Sequence, residues 1–312
     1  MNNLESDNLD ILKITHSFDA QIGKQSISAV LSPKDAEDKV NGEAREGGLG
    51  HKEIYRITCT WFRNRFRNLV EVSSQIGCRI GCMFCGCGEF KRDLMPDEVL
   101  EQIRILQQTA QKTGISLDEV NKINFTDGGE ILFNPHCIDI IRAVTAYLPL
   151  KIKISSVMPD AEIVRENLNW IMHFMQNYPP CVVFQISLYS TDEKIRQDNS
   201  NRKLMSFEEL RQFGEQWLNA HPSRRKVTLT FTLTSKSNYV PEKIAEVLPP
   251  SLFVVRLHGY KPNNVEGIEP MDSEMSSCLN KKFQDLGYKT IYDVPDDFDN
   301  KQLIIGGTRT SV

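Results

Sequence analysis

At 312 residues, with 40% hydrophobic and 25% charged side chains, the chain has an ordinary globular composition and enough length for one large core or two modest ones. It shows no low-complexity tract, no apolar run of membrane-spanning length and no secretory signal before its first structured segment, which points to a cytoplasmic protein with reduced thiols. A net charge of −4 and a pI of about 5.9 exclude the overall basic field of a protein that wraps a polyanion.

In chain order, residues 10–31 and 52–70 read as a small β-rich extension, joined by a charged, solvated connector over 32–51. Between Glu53 and Glu71, Arg56, Arg63, Arg65 and Arg67 interleave with Tyr55, Trp61, Phe62 and Phe66. A hairpin with arginines on its wet face and a nucleic-acid contact both fit that stretch. From residue 70 onward, short β-branched runs alternate with helical periodicity, the pattern of repeated βα units on a parallel sheet. Strands are predicted at Val70 to Gln75, Lys122 to Asp127, Lys151 to Val157, Val182 to Ser190, Lys226 to Leu233 and Phe253 to Tyr260. Helices are predicted near 94–113, 136–147, 160–177, 204–220, 240–248 and 271–287. In the first of these, Pro96 suits the opening turn, Asp97 and Glu98 complement the positive end of the dipole, and Val99, Leu100, Ile103 and Leu106 share a face. The fold expected is α/β, a partial (β/α)6 barrel over residues 70–294, preceded by the extension (1–69) and followed by a tail (295–312). In such folds, sites form at the carboxyl ends of the strands.

Four of the eight cysteines fall within Cys78-Arg-Ile-Gly-Cys82-Met-Phe-Cys85-Gly-Cys87. Cys78, Cys82 and Cys85 have the spacing C-x3-C-x2-C in the loop after the first predicted core strand. A structural zinc site uses four ligands in separated pairs, and no second pair occurs here. Three thiolates in one tight loop suit a 4Fe-4S cluster with one iron left open. Cys87 fits either a fourth ligand or a small residue beside the cluster. The second core strand ends in Asp127-Gly128-Gly129-Glu130, where glycines permit close backbone approach and a carboxylate pairs with an ammonium.

The cysteine spacing, with Phe84 before the last thiol, resembles the radical SAM superfamily signature, which implies S-adenosylmethionine (SAM) as cofactor together with the cluster. Within that superfamily, Val72-Ser73-Ser74-Gln75-Ile76-Gly77-Cys78 resembles the corresponding block of the RlmN/Cfr-type methyltransferases of ribosomal RNA adenine. Gly129-Glu130 with Asn134, Ser155-Ser156-Val157-Met158-Pro159 and Ile186-Ser187-Leu188-Tyr189 resemble later elements of the same family. The resemblance implies SAM contacts at Gly129, Glu130, Ser156, Ser187 and Leu188, and places Lys261, with Asn263 as a substitute, near the adenosine. It also implies a low-potential flavodoxin- or ferredoxin-type electron donor.

Three departures accompany the resemblance. The family's methyl-transfer scheme uses a cysteine seven residues before the first cluster cysteine, where this chain has Glu71. It also uses a carrier cysteine near the C-terminus, and no cysteine follows Cys278, which is expected as a buried small residue on its helix. Cys59, Cys137 and Cys181 are read as buried residues too. The family's helical accessory domain ahead of the extension has no counterpart. His258 ends the sixth strand, facing the barrel mouth, with proton transfer as a hypothetical role. The expected function is therefore SAM cleavage followed by hydrogen abstraction from a small metabolite, nucleotide or peptide. The alternatives are an RlmN/Cfr-like methyltransferase of altered mechanism acting on RNA or a nucleotide, and a non-catalytic iron-sulfur electron carrier or sensor.

Overall fold

The computed structural model describes residues 12–17, 25–33, 57–64, 67–83, 85–112, 114, 119–178, 181–260 and 267–293. Lys261, Asn263, most of the 32–51 connector and the 295–312 tail lie outside them. Among the described residues, one large sheet carries β1 (Leu12–Ser17), β2 (Gln25–Pro33), β3 (Ile57–Asn64), β4 (Arg67–Val72), β7 (Lys122–Phe125), β8 (Lys151–Ser156), β9 (Val182–Leu188), β10 (Val227–Leu233), β11 (Phe253–Gly259) and β12 (Thr290–Asp293), side by side in that order. A two-stranded ribbon pairs β5 (Gln75–Ile76) with β6 (Arg92–Asp93) beside it.

The strands β1 to β4 form an antiparallel meander, and every pairing from β4 through β12 is parallel. Extension and core thus share one sheet, with β4 the strand common to both. The parallel half matches the expected partial barrel, with no closure between its edges among the described residues. Two differences from the sequence reading follow from local chemistry. The first core strand lies at Arg67–Val72 rather than 70–75: the Ser73 hydroxyl bonds to Thr58 O on β3, and Gln75, bonded to Asp93 on β6, starts the short ribbon instead. The strand β12 closes the parallel run after α7 (Ser273–Asp285) and was not foreseen.

The helices α1 (Pro96–Lys112), α2 (Cys137–Tyr147), α3 (Glu162–Asn177), α5 (Phe207–Ala220), α6 (Pro241–Val247) and α7 follow the periodicity closely. The exception is α4 (Glu193–Asp198), whose six residues show no apolar stripe and which is set by Asp192 accepting from the Ile195 amide at 3.1 Å. Ser206 and Glu209 form a reciprocal capping box at the start of α5.

The apolar core lies on the outer, helix-covered face of the sheet. Val70 and Val72 on β4, Ile123 and Phe125 on β7, Ile152 and Ile154 on β8, Phe184 and Ile186 on β9, Leu229 and Phe231 on β10, and Val255 and Leu257 on β11 all belong to it. Alternation then sends the intervening residues to the opposite, concave face, and toward the carboxyl ends these are polar: Glu71, Thr126, Lys153, Ser155, Gln185, Ser187, Thr230, Thr232, Arg256 and His258. Closed (β/α)8 barrels fill that face with branched apolar side chains. Here it lines a cavity.

Candidate active site

The cavity has a volume of about 240 Å³ and opens at the carboxyl ends of the parallel strands. Cys78, Cys82, Cys85 and Cys87 line it together with Gly129, Glu130, Ser156, Ser187 and Leu188, so the residues singled out from four separate sequence segments meet around one space. His258 lines it too.

The cysteine loop is built by contacts on both sides. Gly77 has φ +69°, and a Cβ there would collide with the Glu89 carbonyl oxygen, so only glycine lets the two arms of the cysteine loop approach. The Cys78 amide donates to Gly88 O at 3.3 Å and the Cys85 amide to Cys82 O at 3.1 Å. From the segment after α4, Asn199 O accepts from the Met83 amide at 3.3 Å, and the Asn201 amide donates to Ile80 O at 3.0 Å.

The Ser-Ser-Gln stretch fastens this loop to the one bearing Glu130. The Ser73 hydroxyl donates to Thr58 O at 2.7 Å and accepts from the Gly128 amide at 2.9 Å. Gln75 Oε1 accepts from the Glu130 amide at 2.9 Å, and its Nε2 donates to Asp93 at 2.7 Å. Asn134, fully buried, donates to the carbonyls of Ser74 and Leu94 at 2.8 and 2.9 Å, which gives this motif residue a structural task.

Glu130 is 3% exposed, and burial pushes its carboxyl up from 4.5 to about 7, against the lowering effect of bonds from Val157, Ser156 and Leu132. The Val157 amide donates to its Oε2 at 3.0 Å and the Leu132 amide to Oε1 at 3.3 Å. Ser156 also accepts from the Met158 amide at 2.8 Å, supporting a methionine held at φ +59°.

Arg196, which the sequence reading passed over, anchors this end of β8. At 3% exposure it donates to Val157 O at 2.7 Å and Met205 O at 2.6 Å, while burial pulls its guanidinium down to about 10. Its signal was a lone arginine in a six-residue helix, where no apolar period drew notice.

Burial pushes the Cys78 thiol up to about 12 and the Cys82 thiol well above its ordinary value, with the Cys85 charge adding to both. Cys87 donates its S–H to Cys85, which lowers Cys85 to about 7 and raises Cys87. Among the described residues, no three His, Cys, Asp or Glu side chains converge closely enough to hold a single metal ion.

Other cysteines divide. Cys59 and Cys137 are buried as expected, but Cys181 is half-buried, 3.7 Å from His221 Nε2. Cys278 is exposed, a correction: it was expected beside a buried face of Met275, Leu279 and Leu286, but α7 buries Ser276, Leu279 and Phe283 and leaves Met275 60% exposed. The hairpin reading of 52–70 holds for β3 and β4, where Arg63 pairs with Glu119. Arg56 and Arg65 lie outside the described residues.

No protein-family model matches the chain. The probable dual-specificity RNA methyltransferase RlmN of Carboxydothermus hydrogenoformans is 26% identical over 272 residues, covering 83% of this chain and 68% of the relative. Its namesake in Lysinibacillus sphaericus is 43% identical over 70 residues, 22% of this chain and 17% of that one. A radical SAM methyltransferase from Sphaerobacter thermophilus has the same fold, with a TM-score of 0.73 over 96% of this chain and 81% of its own, at 16% identity. The chain is similar in sequence to RlmN-type RNA methyltransferases and shares its fold with a radical SAM methyltransferase. Among the described residues, no helix is long and apolar enough to cross a membrane.

Proposed function

We propose that the chain binds a 4Fe-4S cluster through Cys78, Cys82 and Cys85, cleaves SAM reductively and abstracts hydrogen from a small metabolite, nucleotide or peptide. The observation that carries this reading is the single cavity lined by the three thiols, Glu130 and the ends of β8 and β9. A three-cysteine set leaves one iron for the amino and carboxylate groups of SAM. When bound, the cluster and SAM supply the electron and the 5′-deoxyadenosyl radical.

The protein's own residues orient and exclude. Glu130 pairs with the SAM ammonium, and ionises as that cation replaces lost solvation. Gly129 brings the backbone close, while Ser156, Ser187 and Leu188 flank the nucleoside. Cys87, one residue beyond Cys85, is a neighbour of the cluster rather than a ligand in this reading, because a Cys-x-Cys pair is a strained way to span two irons. A flavodoxin- or ferredoxin-type protein is the donor this chemistry needs.

The names of the relatives favour a second reading, methyl transfer to RNA or a nucleotide. Glu71 at the resolving-cysteine position leaves the thiol-based scheme without one of its groups. Methyl-labelled SAM separates the two readings. Label retained in methionine, with 5′-deoxyadenosine formed alongside, supports hydrogen abstraction; label moved to RNA or a nucleotide, with S-adenosylhomocysteine released, overturns it.

A further inference from the structure

The connector that follows α4 touches both loops on which the proposed chemistry depends. Toward the cysteine loop, Asn199 O accepts the Met83 amide at 3.3 Å, the Asn201 amide donates to Ile80 O at 3.0 Å, and Arg202 Nε donates to Arg79 O at 3.0 Å. Gly81, at φ +63°, lies against the Asn201 side chain, which a Cβ there would strike. Toward the loop after β8, Lys203 O accepts the Asp160 amide at 2.8 Å, and the Met205 amide donates to Met158 O at 2.9 Å. Val157, in that same loop, supplies the amide that holds Glu130 Oε2. Residues 199–205 therefore link the thiol-bearing loop to the loop that holds the Glu130 carboxylate.

The connector is cross-braced. Gln197 on α4 donates from Nε2 to Arg202 O at 2.9 Å and accepts the Leu204 amide on Oε1 at 2.8 Å. One side chain thus spans the point where the contacts to the cysteine loop end and those to the β8 loop begin. The Ser200 hydroxyl donates to Arg202 O at 3.0 Å and accepts the Arg202 amide at 3.1 Å. Neither Gln197 nor Arg202 lines the cavity, so neither is placed to touch a ligand in it.

A ligand gripped at two points gains from the second grip only when both stand at the right spacing. In the proposed site, SAM is held by the open iron of the cluster on the cysteine loop and by Glu130 on the other loop. We infer that Gln197 and Arg202 are positioning residues: through the connector they set the spacing between the cysteine loop and Glu130, and so fix how much SAM binding gains from the cluster. The inference rests on the proposed cluster and SAM site.

The test is SAM affinity by anaerobic calorimetry, with and without the reconstituted cluster, in wild type, Gln197→Ala, Arg202→Met and Arg202→Lys. Lys194→Met, on the exposed side of α4, is the control. In wild type the cluster should tighten SAM binding. In Gln197→Ala and Arg202→Met that gain should shrink roughly fivefold, the worth of about one hydrogen bond, while affinity in the cluster-free protein stays the same. Arg202→Lys, whose ammonium offers a donor to the same carbonyl, should recover part of the gain, and Lys194→Met should keep all of it. An equal drop in the cluster-free and the cluster-bearing protein marks a merely structural role and overturns the inference, as does an undiminished gain in both variants. If Gln197→Ala fails to fold, Arg202→Met, which alters an exposed side chain, decides alone. Wild type that takes up no cluster, or whose cluster gives SAM no gain, overturns the proposed function and this inference with it.

Discussion

Gln75 Oε1 accepts the Glu130 backbone amide at 2.9 Å, which ties the chain entering the cysteine loop to the carboxylate across the cavity. The same oxygen accepts from the Arg79 amide at 3.4 Å, so one side chain fixes both loops. Gln75→Ala leaves a buried donor without its acceptor, at a cost of about 1–3 kcal/mol. Urea unfolding should show that loss, and calorimetry should show weaker SAM binding with the cluster content unchanged.

Gly129 has φ +100°, and a Cβ there would lie 2.6 Å from Gln75 Cβ. Gly129→Ala is therefore expected to destabilise by about 1–3 kcal/mol and to displace the loop that carries Glu130. Comparison with Gly114→Ala, at φ +71° but with open space around it, separates the close approach from backbone strain alone.

The Glu130 carboxyl titrates at about 7 in the fold against 4.5 ordinarily. The native state then holds a proton that the unfolded chain has released, so the contribution of this group to stability falls as pH rises from 4.5 to about 7, by roughly 3 kcal/mol. SAM, whose ammonium selects the ionised carboxylate, should bind roughly tenfold more tightly at pH 8 than at pH 6. Glu130→Gln should bind weakly at both, with the pH slope gone, as read by calorimetry.

Much of this was legible in the sequence. The strand and helix rhythm, the cysteine spacing and the Gly-Gly-Glu turn all act locally, so their residues declare themselves without tertiary context. What escaped depends on partners far along the chain. Ser73 left β4 with its hydroxyl donating to Thr58 O and accepting from the Gly128 amide, and Arg196 matters through carbonyls 9 and 39 residues away. The polar concave face was written in the alternation of Ile-Lys-Ile-Ser on β8 and Val-Arg-Leu-His on β11. Its meaning needed the knowledge of which face the helices cover. On α7, a face drawn through exposed Met275 turned exposed Cys278 inward.

Arg196→Met removes the donors to Val157 O and Met205 O while keeping bulk. The expected loss is about 2 kcal/mol or more of stability. SAM affinity should fall as well, because the peptide that holds Glu130 is released. Arg196→Lys should restore part of the stability and little of the affinity, since a single ammonium replaces the fork that reaches two carbonyls.

The most direct test of the account is the electron paramagnetic resonance spectrum of the anaerobically reconstituted, dithionite-reduced protein with and without SAM. The account requires a reduced 4Fe-4S signal that SAM changes at saturation, that is lost in Cys82→Ala and that responds only weakly to SAM in Glu130→Gln. A cluster signal that saturating SAM leaves unaltered, or one that survives Cys82→Ala, would contradict it.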